Sequence, residues 1–140
     1  MKRIGLYAGS FNPYHRGHEN IRLKATKIFD EVIMGFGKNP EKNSNYGFPP
    51  ANIGEVIFYD GLLTTLIERL EQEGKNITLI RGLRNSTDLQ YELTQYRFLQ
   101  ELKPDIKVVS IFCDKEYEHI SSSAIRMLEK YGKGDEYLLK

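Results

Sequence analysis

Gly9-Ser10-Phe11-Asn12-Pro13-Tyr14-His15-Arg16-Gly17-His18 is the stretch around which this chain is built. Before it runs Arg3-Ile4-Gly5-Leu6-Tyr7, short, apolar and β-prone. After it, Ile21, Ala25, Ile28 and Phe29 recur at helical spacing and make one apolar face. The segment therefore reads strand, tight loop, helix. Gly9 and Gly17 let the backbone come close to a ligand, and Pro13 stiffens the turn. The first N–H groups and positive dipole end of the helix aim back at the loop, an arrangement that suits a phosphate. His15 and His18 stand three apart at the helix entrance, with Ser10 across the loop. These groups are donors, with no evident nucleophile and base among them. The bland alternative is a surface histidine on a glycine-bearing loop, common after a first strand. The pattern is neither the dinucleotide Gly-x-Gly-x-x-Gly nor a P-loop, which needs Gly-Lys-Ser/Thr. A zinc site needs at least three ligands, and the other soft candidates are Cys113 and His119.

Working outward, the first helix is expected from about Glu19 to Phe29, closing at Asp30. Val32-Ile33-Met34-Gly35-Phe36 is a continuous apolar run, the mark of a strand buried on both faces of a parallel sheet. A long polar loop, Gly37 to Pro50, follows and contains Lys38 and Lys42. Glu55 to Tyr59 reads as a third strand, with Asp60 as an N-cap and Leu63, Leu66, Ile67 and Leu70 as a helical stripe that Gly74 stops. Ile77 to Ile80 is a fourth strand running into Arg81-Gly82-Leu83-Arg84. The next helix starts near Ser86-Thr87-Asp88 and carries Leu89, Leu93, Tyr96 and Leu99 until Pro104. Lys107 to Phe112 gives a fifth strand, and Ser121-Ser122-Ser123 opens a last helix that ends at Gly132. Strands alternating with helices at these lengths imply a Rossmann-like, doubly wound, five-stranded parallel sheet of the α/β class.

The 140 residues are expected to form one domain, 1–140, large enough to bury a proper core. A net charge of +1 gives no global electrostatic case for nucleic acid or membrane. One cysteine excludes a disulfide framework. With no signal peptide and no apolar run long enough for a bilayer, the expectation is a cytoplasmic protein. In doubly wound sheets ligands bind beyond the C-terminal strand ends, where the winding reverses. Three polar clusters follow strands here: the His15/His18 loop, Arg81 with Arg84, and Ser121 to Ser123. If strands one and four are neighbours, all three converge on a pocket that wants several phosphates. Singly, the arginines read as surface charges and the serines as a helix cap; their repeated placement after strands raises the functional reading.

Together these residues resemble the nucleotidyltransferase superfamily, and most closely bacterial phosphopantetheine adenylyltransferase. Tyr7-Ala8-Gly9-Ser10-Phe11-Asn12-Pro13 resembles that family's Y-x-G-[ST]-F-[DN]-P, and His15-Arg16-Gly17-His18 the superfamily's [HT]-x-G-H. Arg81-Gly82-Leu83-Arg84 with Asp88-Leu89-Gln90-Tyr91-Glu92 is similar to R-G-[LI]-R followed by D-[FL]-x-Y-E. Ile120-Ser121-Ser122-Ser123-Ala124-Ile125-Arg126 is similar to I-S-S-[ST]-x-[VI]-[RK]. The resemblance implies transfer of an adenylyl group from ATP, with Mg²⁺, to a phosphorylated small acceptor, releasing pyrophosphate. It implies that Gly9, Ser10, Phe11, His15, Gly17 and His18 bind ATP together with Arg84, Glu92, Ser121, Ser122 and Ser123. It assigns the acceptor phosphate to Ser10, Lys42 and Arg81, and the chemistry to His18, Ser10 and Lys42, with no protein ligand set for a metal.

The chain departs from the family at two places. Where the family has a helix opening on Thr-x-Glu-Glu-Arg, Phe48-Pro49-Pro50-Ala51-Asn52-Ile53-Gly54 is short and Pro-rich. The chain also stops at Leu138-Leu139-Lys140, where the family commonly continues into another helix, so a homo-oligomer is left open without carrying over the family's hexamer. His15 stands where phosphopantetheine enzymes usually have Thr and nicotinamide-nucleotide adenylyltransferases usually have His. The leading expectation is 4'-phosphopantetheine as acceptor, giving dephospho-CoA. Nicotinamide mononucleotide or another small phosphate ester is the alternative, and an ATP-binding module without transfer is the reading from a different class.

Overall fold

The structure is a computed structural model, and it describes residues 1–38 and 49–139. Five strands form one all-parallel sheet: β1 (Arg3–Gly9), β2 (Glu31–Gly37), β3 (Glu55–Tyr59), β4 (Asn76–Leu83) and β5 (Val108–Phe112), in spatial order β3-β2-β1-β4-β5. The central strands owe their place to uninterrupted apolar runs: Leu6, Ile33, Met34, Leu79 and Ile80 are fully buried. The edge strands β3 and β5 expose Phe58 and Phe112 instead.

Four helices cover the sheet: α1 (Arg16–Thr26), α2 (Leu63–Gln72), α3 (Ser86–Leu102) and α4 (Ser122–Glu129). Strand alternation divides the core into two layers. Tyr7, Met34, Phe36 and Ile80 face α1, meeting its Ile21 and Ala25. Ile4, Leu6, Ala8, Ile33, Ile77 and Leu79 point to the other face, meeting Leu66, Ile67 and Leu70 of α2, with Tyr96 and Leu99 of α3 beside them. The doubly wound α/β sheet expected from the sequence is present.

Several local expectations need correction. Helix α1 begins at Arg16 and ends at Thr26, because the side chain of His15 supplies the cap and Phe29 turns back into the core after the helix. Asp60 is not an N-cap: α2 is capped at Leu62, which makes no side-chain cap bond. Gly74 does stop α2, at φ +89°. Strand β4 extends to Leu83, so Arg81 lies within the strand, with its side chain at the sheet's C-terminal end. The stripe assigned to α3 is only half internal: Leu89 and Leu93 are exposed, and no residue of this helix is fully buried. Residues 49–54 form turns, with Asn52 and Gly54 at positive φ and Ile53 buried, so no helix stands in this described part of the β2–β3 connection.

Candidate active site

Strands β1 and β4 are parallel neighbours, with Tyr7 opposite Ile80. From β1 the chain winds outward through β2 to β3, then returns to the other side of β1 for β4 and β5. The reversal therefore falls between β1 and β4, where a crevice opens beyond the strand ends. A cavity of about 350 Å³ occupies it. The β1–α1 loop contributes Gly9, Ser10, Phe11, His15, Gly17 and His18 to its wall. Beyond β4 the wall continues with Arg81, Arg84 and Glu92, and at the start of α4 with Ser121 and Ser122. All three polar clusters read from the sequence thus meet in one place.

The loop is built around two histidines. His15 is the N-cap of α1: its Nδ1 accepts from Gly17 N–H at 3.1 Å, while His18 Nδ1 accepts from His15 N–H at 3.2 Å. The two rings stack with centroids 3.7 Å apart. A nitrogen that accepts carries no proton, so each neutral ring holds its hydrogen on Nε2. His15 is almost completely buried, and this burial, helped by the charge of Arg84, lowers its pKa to about 4. Gly17 is needed for close approach, since a Cβ there would lie 2.9 Å from His15 Cε1. Phe11 sits at φ +47° among Tyr7, Tyr14, His18 and Phe36, a ring cluster that holds the loop on the sheet.

Below the loop, Tyr14 donates its hydroxyl to Glu19 Oε1 at 2.7 Å, and Arg22 grips both oxygens of the same carboxylate. Burial and this bond push the Tyr14 hydroxyl well above its ordinary range. From the other side, Ser122 donates to the carbonyl of Pro13 at 2.9 Å and Arg126 to that of Asn12. Helix α4 therefore clamps the loop backbone.

The arginines are held differently. Arg84 donates through Nε and Nη2 to the two oxygens of Asp88, each at 2.9 Å, and through Nη1 to the carbonyl of Ile120 at 3.2 Å. Three of its five N–H groups are used in these bonds, leaving two for a ligand. Arg81 lies across the sheet, with Nη1 3.3 Å from the carbonyl of Ala8 and Nε 3.2 Å from Glu92 Oε2. That ion pair does not meet hydrogen-bond geometry at Nε. Burial raises the pKa of Glu92 although Arg81 opposes it. Glu92, grouped with ATP in the sequence reading, thus stands beside the arginine grouped with the acceptor.

The serines separate by position. Ser121 caps α4 through Ala124 N–H at 3.1 Å, and Ser122 holds the Pro13 carbonyl. Ser123 is exposed, lies outside the cavity wall and reaches it only through Ser121, 3.3 Å away. Lys42 lies outside the described residues. The sequence reading assigned no role to Tyr7, Asp88, Tyr91 or Cys113, all of which line the cavity. Asp88 and Tyr91 were quoted within a motif, where their spacing from Arg84 was the available signal. Cys113 entered the sequence reading only as a soft candidate ligand for zinc, and its thiol is pushed up by burial. Among the described residues no three metal-ligating side chains gather, and the two histidines spend their Nδ1 atoms on the helix cap.

The sequence model of the cytidylyltransferase-like family matches residues 6–59, which include this loop. Over 94% of its length the chain is 35% identical to the phosphopantetheine adenylyltransferase of Streptococcus pneumoniae strain CGSP14, covering 86% of that protein. The chain belongs to the phosphopantetheine adenylyltransferase family. A second member, from Mycoplasma capricolum, is 34% identical over 94% of this chain and is itself 99% covered. Among solved structures, a bifunctional NMN adenylyltransferase/ADP ribose pyrophosphatase from Francisella tularensis superposes with a TM-score of 0.66 at 14% identity. That match covers 99% of this chain and 45% of the larger one, and it shares the fold.

Proposed function

We propose that this chain transfers the adenylyl group of ATP to 4'-phosphopantetheine, forming dephospho-CoA and pyrophosphate. The observation that carries the reading is the cavity between β1 and β4, where two guanidinium groups and His18 converge at the start of α1. Membership of the phosphopantetheine adenylyltransferase family supports the acceptor.

The acceptor phosphate is already a nucleophile, so the protein needs to align two anions and stabilise charge rather than supply a base. An acceptor oxygen forms a bond to the α-phosphorus, the bond from that phosphorus to the bridging oxygen breaks, and pyrophosphate leaves. We assign to His18 Nε2–H and Ser10 the donation to the reacting phosphate, a tautomer favoured by the bond from His15 N–H to His18 Nδ1. Arg84, held by Asp88, contacts the nucleotide with Gly9, Phe11, Gly17 and the Ser121–Ser122 turn beside it. Arg81 takes the acceptor phosphate with Ser10 and Lys42. His15 caps the helix and stays neutral, so it positions His18 rather than carrying charge. Ser123 steadies Ser121.

A divalent cation, assigned as Mg²⁺, supplies neutralisation of triphosphate charge. Both carboxylates nearest the arginines, Asp88 and Glu92, are paired with them. The described side chains would therefore suit a cation brought in by the nucleotide rather than one held in a protein cage.

We take residues 1–140 as one such domain acting in the cytoplasm; no described helix is long and apolar enough to cross a membrane. The outward Leu89, Leu93, Phe98 and Leu102 of α3 support association of copies of the chain. His15 favours nicotinamide mononucleotide as the second acceptor to test, for the family reason given above. Pyrophosphate release measured with ATP and each acceptor separates the readings. Efficient release with phosphopantetheine supports the first, and a strong preference for nicotinamide mononucleotide replaces it. Release with neither indicates an ATP-binding module.

A further inference from the structure

The β1–α1 loop is held from outside by a stretch of chain 120 residues further on. After α4 the chain turns at Gly134, which is buried at φ +105° beside Ile125 and Leu128. Asp135–Tyr137 make one 3-10 turn, and Leu138 is extended. Leu138 pairs with His15 in an antiparallel bridge, and the carbonyl of Glu136 accepts from Arg16 Nε at 2.7 Å. Leu139 packs against the core layer that contains Phe11 and Tyr14. The Tyr137 ring meets that of His119 edge to face, with 6.0 Å between centroids. Residues 134–139 thus form a strap across the entrance of α1, fastened beside α4 at one end and to His15 and Arg16 at the other.

His15 and Arg16 are the N-cap and the first residue of α1. The bonds that orient the histidines are local: His15 Nδ1 accepts from Gly17 N–H, and His18 Nδ1 from His15 N–H. They fix the two rings against each other, so a shift of the His15 backbone carries His18 with it. Arg16 is exposed and is not among the described residues that wall the cavity, so a ligand there does not account for its bond to Glu136.

We infer that Arg16 is a positioning residue for the transfer reaction: tied to the 134–139 strap, it holds the His15 backbone where His18 Nε2–H meets the reacting phosphate. The inference rests on the adenylyltransferase reading and deepens it. Its effect falls on the chemical step rather than on ATP affinity. A donor aimed at developing charge tolerates little misplacement, whereas a nucleotide is bound by many contacts at once.

Arg16→Ala removes the bond. Arg16→Gln keeps a donor at the same place without the charge, since the glutamine amide nitrogen is bonded to Cδ as the arginine Nε is. Pyrophosphate release with ATP and phosphopantetheine gives kcat and KM for each variant, calorimetry gives ATP affinity, and thermal unfolding confirms the fold. Nitrogen NMR spectra of the histidine rings report the His18 tautomer. For Arg16→Ala the expected result is kcat lowered on the order of 3- to 10-fold with ATP affinity unchanged, the effect of losing one hydrogen bond. His18 should then no longer be confined to its Nε2–H form, and Arg16→Gln should restore most of the turnover. Unchanged kcat in Arg16→Ala overturns the inference. So does an equal loss in Arg16→Gln, which would point to the charge, or a matching fall in ATP affinity. A wild type that releases no pyrophosphate overturns the adenylyltransferase reading. The ring spectra need no substrate, and an unchanged His18 tautomer in Arg16→Ala overturns the positioning role by itself.

Discussion

His15 makes the stability of this protein sensitive to mild acid, and replacing it should remove that sensitivity. In the folded chain its pKa is lowered from 6.5 to about 4, first by burial and then by the charge of Arg84. The unfolded chain takes up the proton near pH 6.5, whereas the folded chain resists until about pH 4. Between these values the unfolded state holds more protons, so stability rises with pH across the window and is lost as pH falls. At about 1.36 kcal/mol per pH unit, the interval from 6.5 to about 4 amounts to roughly 3 kcal/mol, of which about 2 kcal/mol is already lost at pH 5. The ring is 3% exposed, so solvent screens little of this. His15→Asn keeps a side-chain oxygen able to cap α1 but cannot titrate. Urea unfolding of both proteins from pH 7.5 to 4.5 is the assay. The variant should be the less stable at pH 7.5, by about 1 kcal/mol for the imperfect cap, and the gap should close and then reverse as pH falls. A gap that stays constant over this range would refute the buried, neutral imidazole.

Two further predictions concern the chemistry. His18→Ala should lower turnover by about 10²–10³, the usual cost of losing one donor to developing charge, while ATP affinity measured by calorimetry stays nearly intact. Because His18 also accepts from His15 N–H, a small fall in unfolding temperature should accompany it; near-normal turnover in the folded variant would remove His18 from the reaction. Arg84→Ala should weaken mainly ATP and Arg81→Ala mainly the acceptor, since the two side chains are held by different partners, Arg84 by Asp88 and the Ile120 carbonyl, Arg81 by Glu92 and the Ala8 carbonyl. Equal losses for both ligands in both variants would show that the arginines do not divide the work.

By itself the sequence determined the alternation of strands and helices, because apolar runs such as Val32–Phe36 and helical stripes such as Leu66, Ile67 and Leu70 are properties of neighbouring residues. It also pointed to residues that meet in one cavity, since Ser10, His18, Arg81 and Arg84 stand in recognisable motifs at or just beyond the C-terminal ends of strands. It misplaced boundaries where a long-range or unusual cap ruled. An imidazole replaced the ordinary cap of α1, and Asp60 looked like a cap that α2 does not use. It also credited α3 with a buried stripe, because helical spacing shows that a face is apolar without showing what covers it.

Only the tertiary structure decided what each charged group does next to the others. Asp88 fixes Arg84 four residues away, a spacing visible in the chain, but Arg84 also reaches Ile120 and Arg81 reaches Ala8 across 36 and 73 residues. The same holds for Ser122, which serves Pro13 109 residues earlier, and for Tyr7, which lines a cavity only when β4 lies beside β1. Periodicity and motif are local, so one chain segment suffices to read them. Burial, the pKa of His15 and the partner of a guanidinium depend on distances that exist only once the sheet has brought remote segments together.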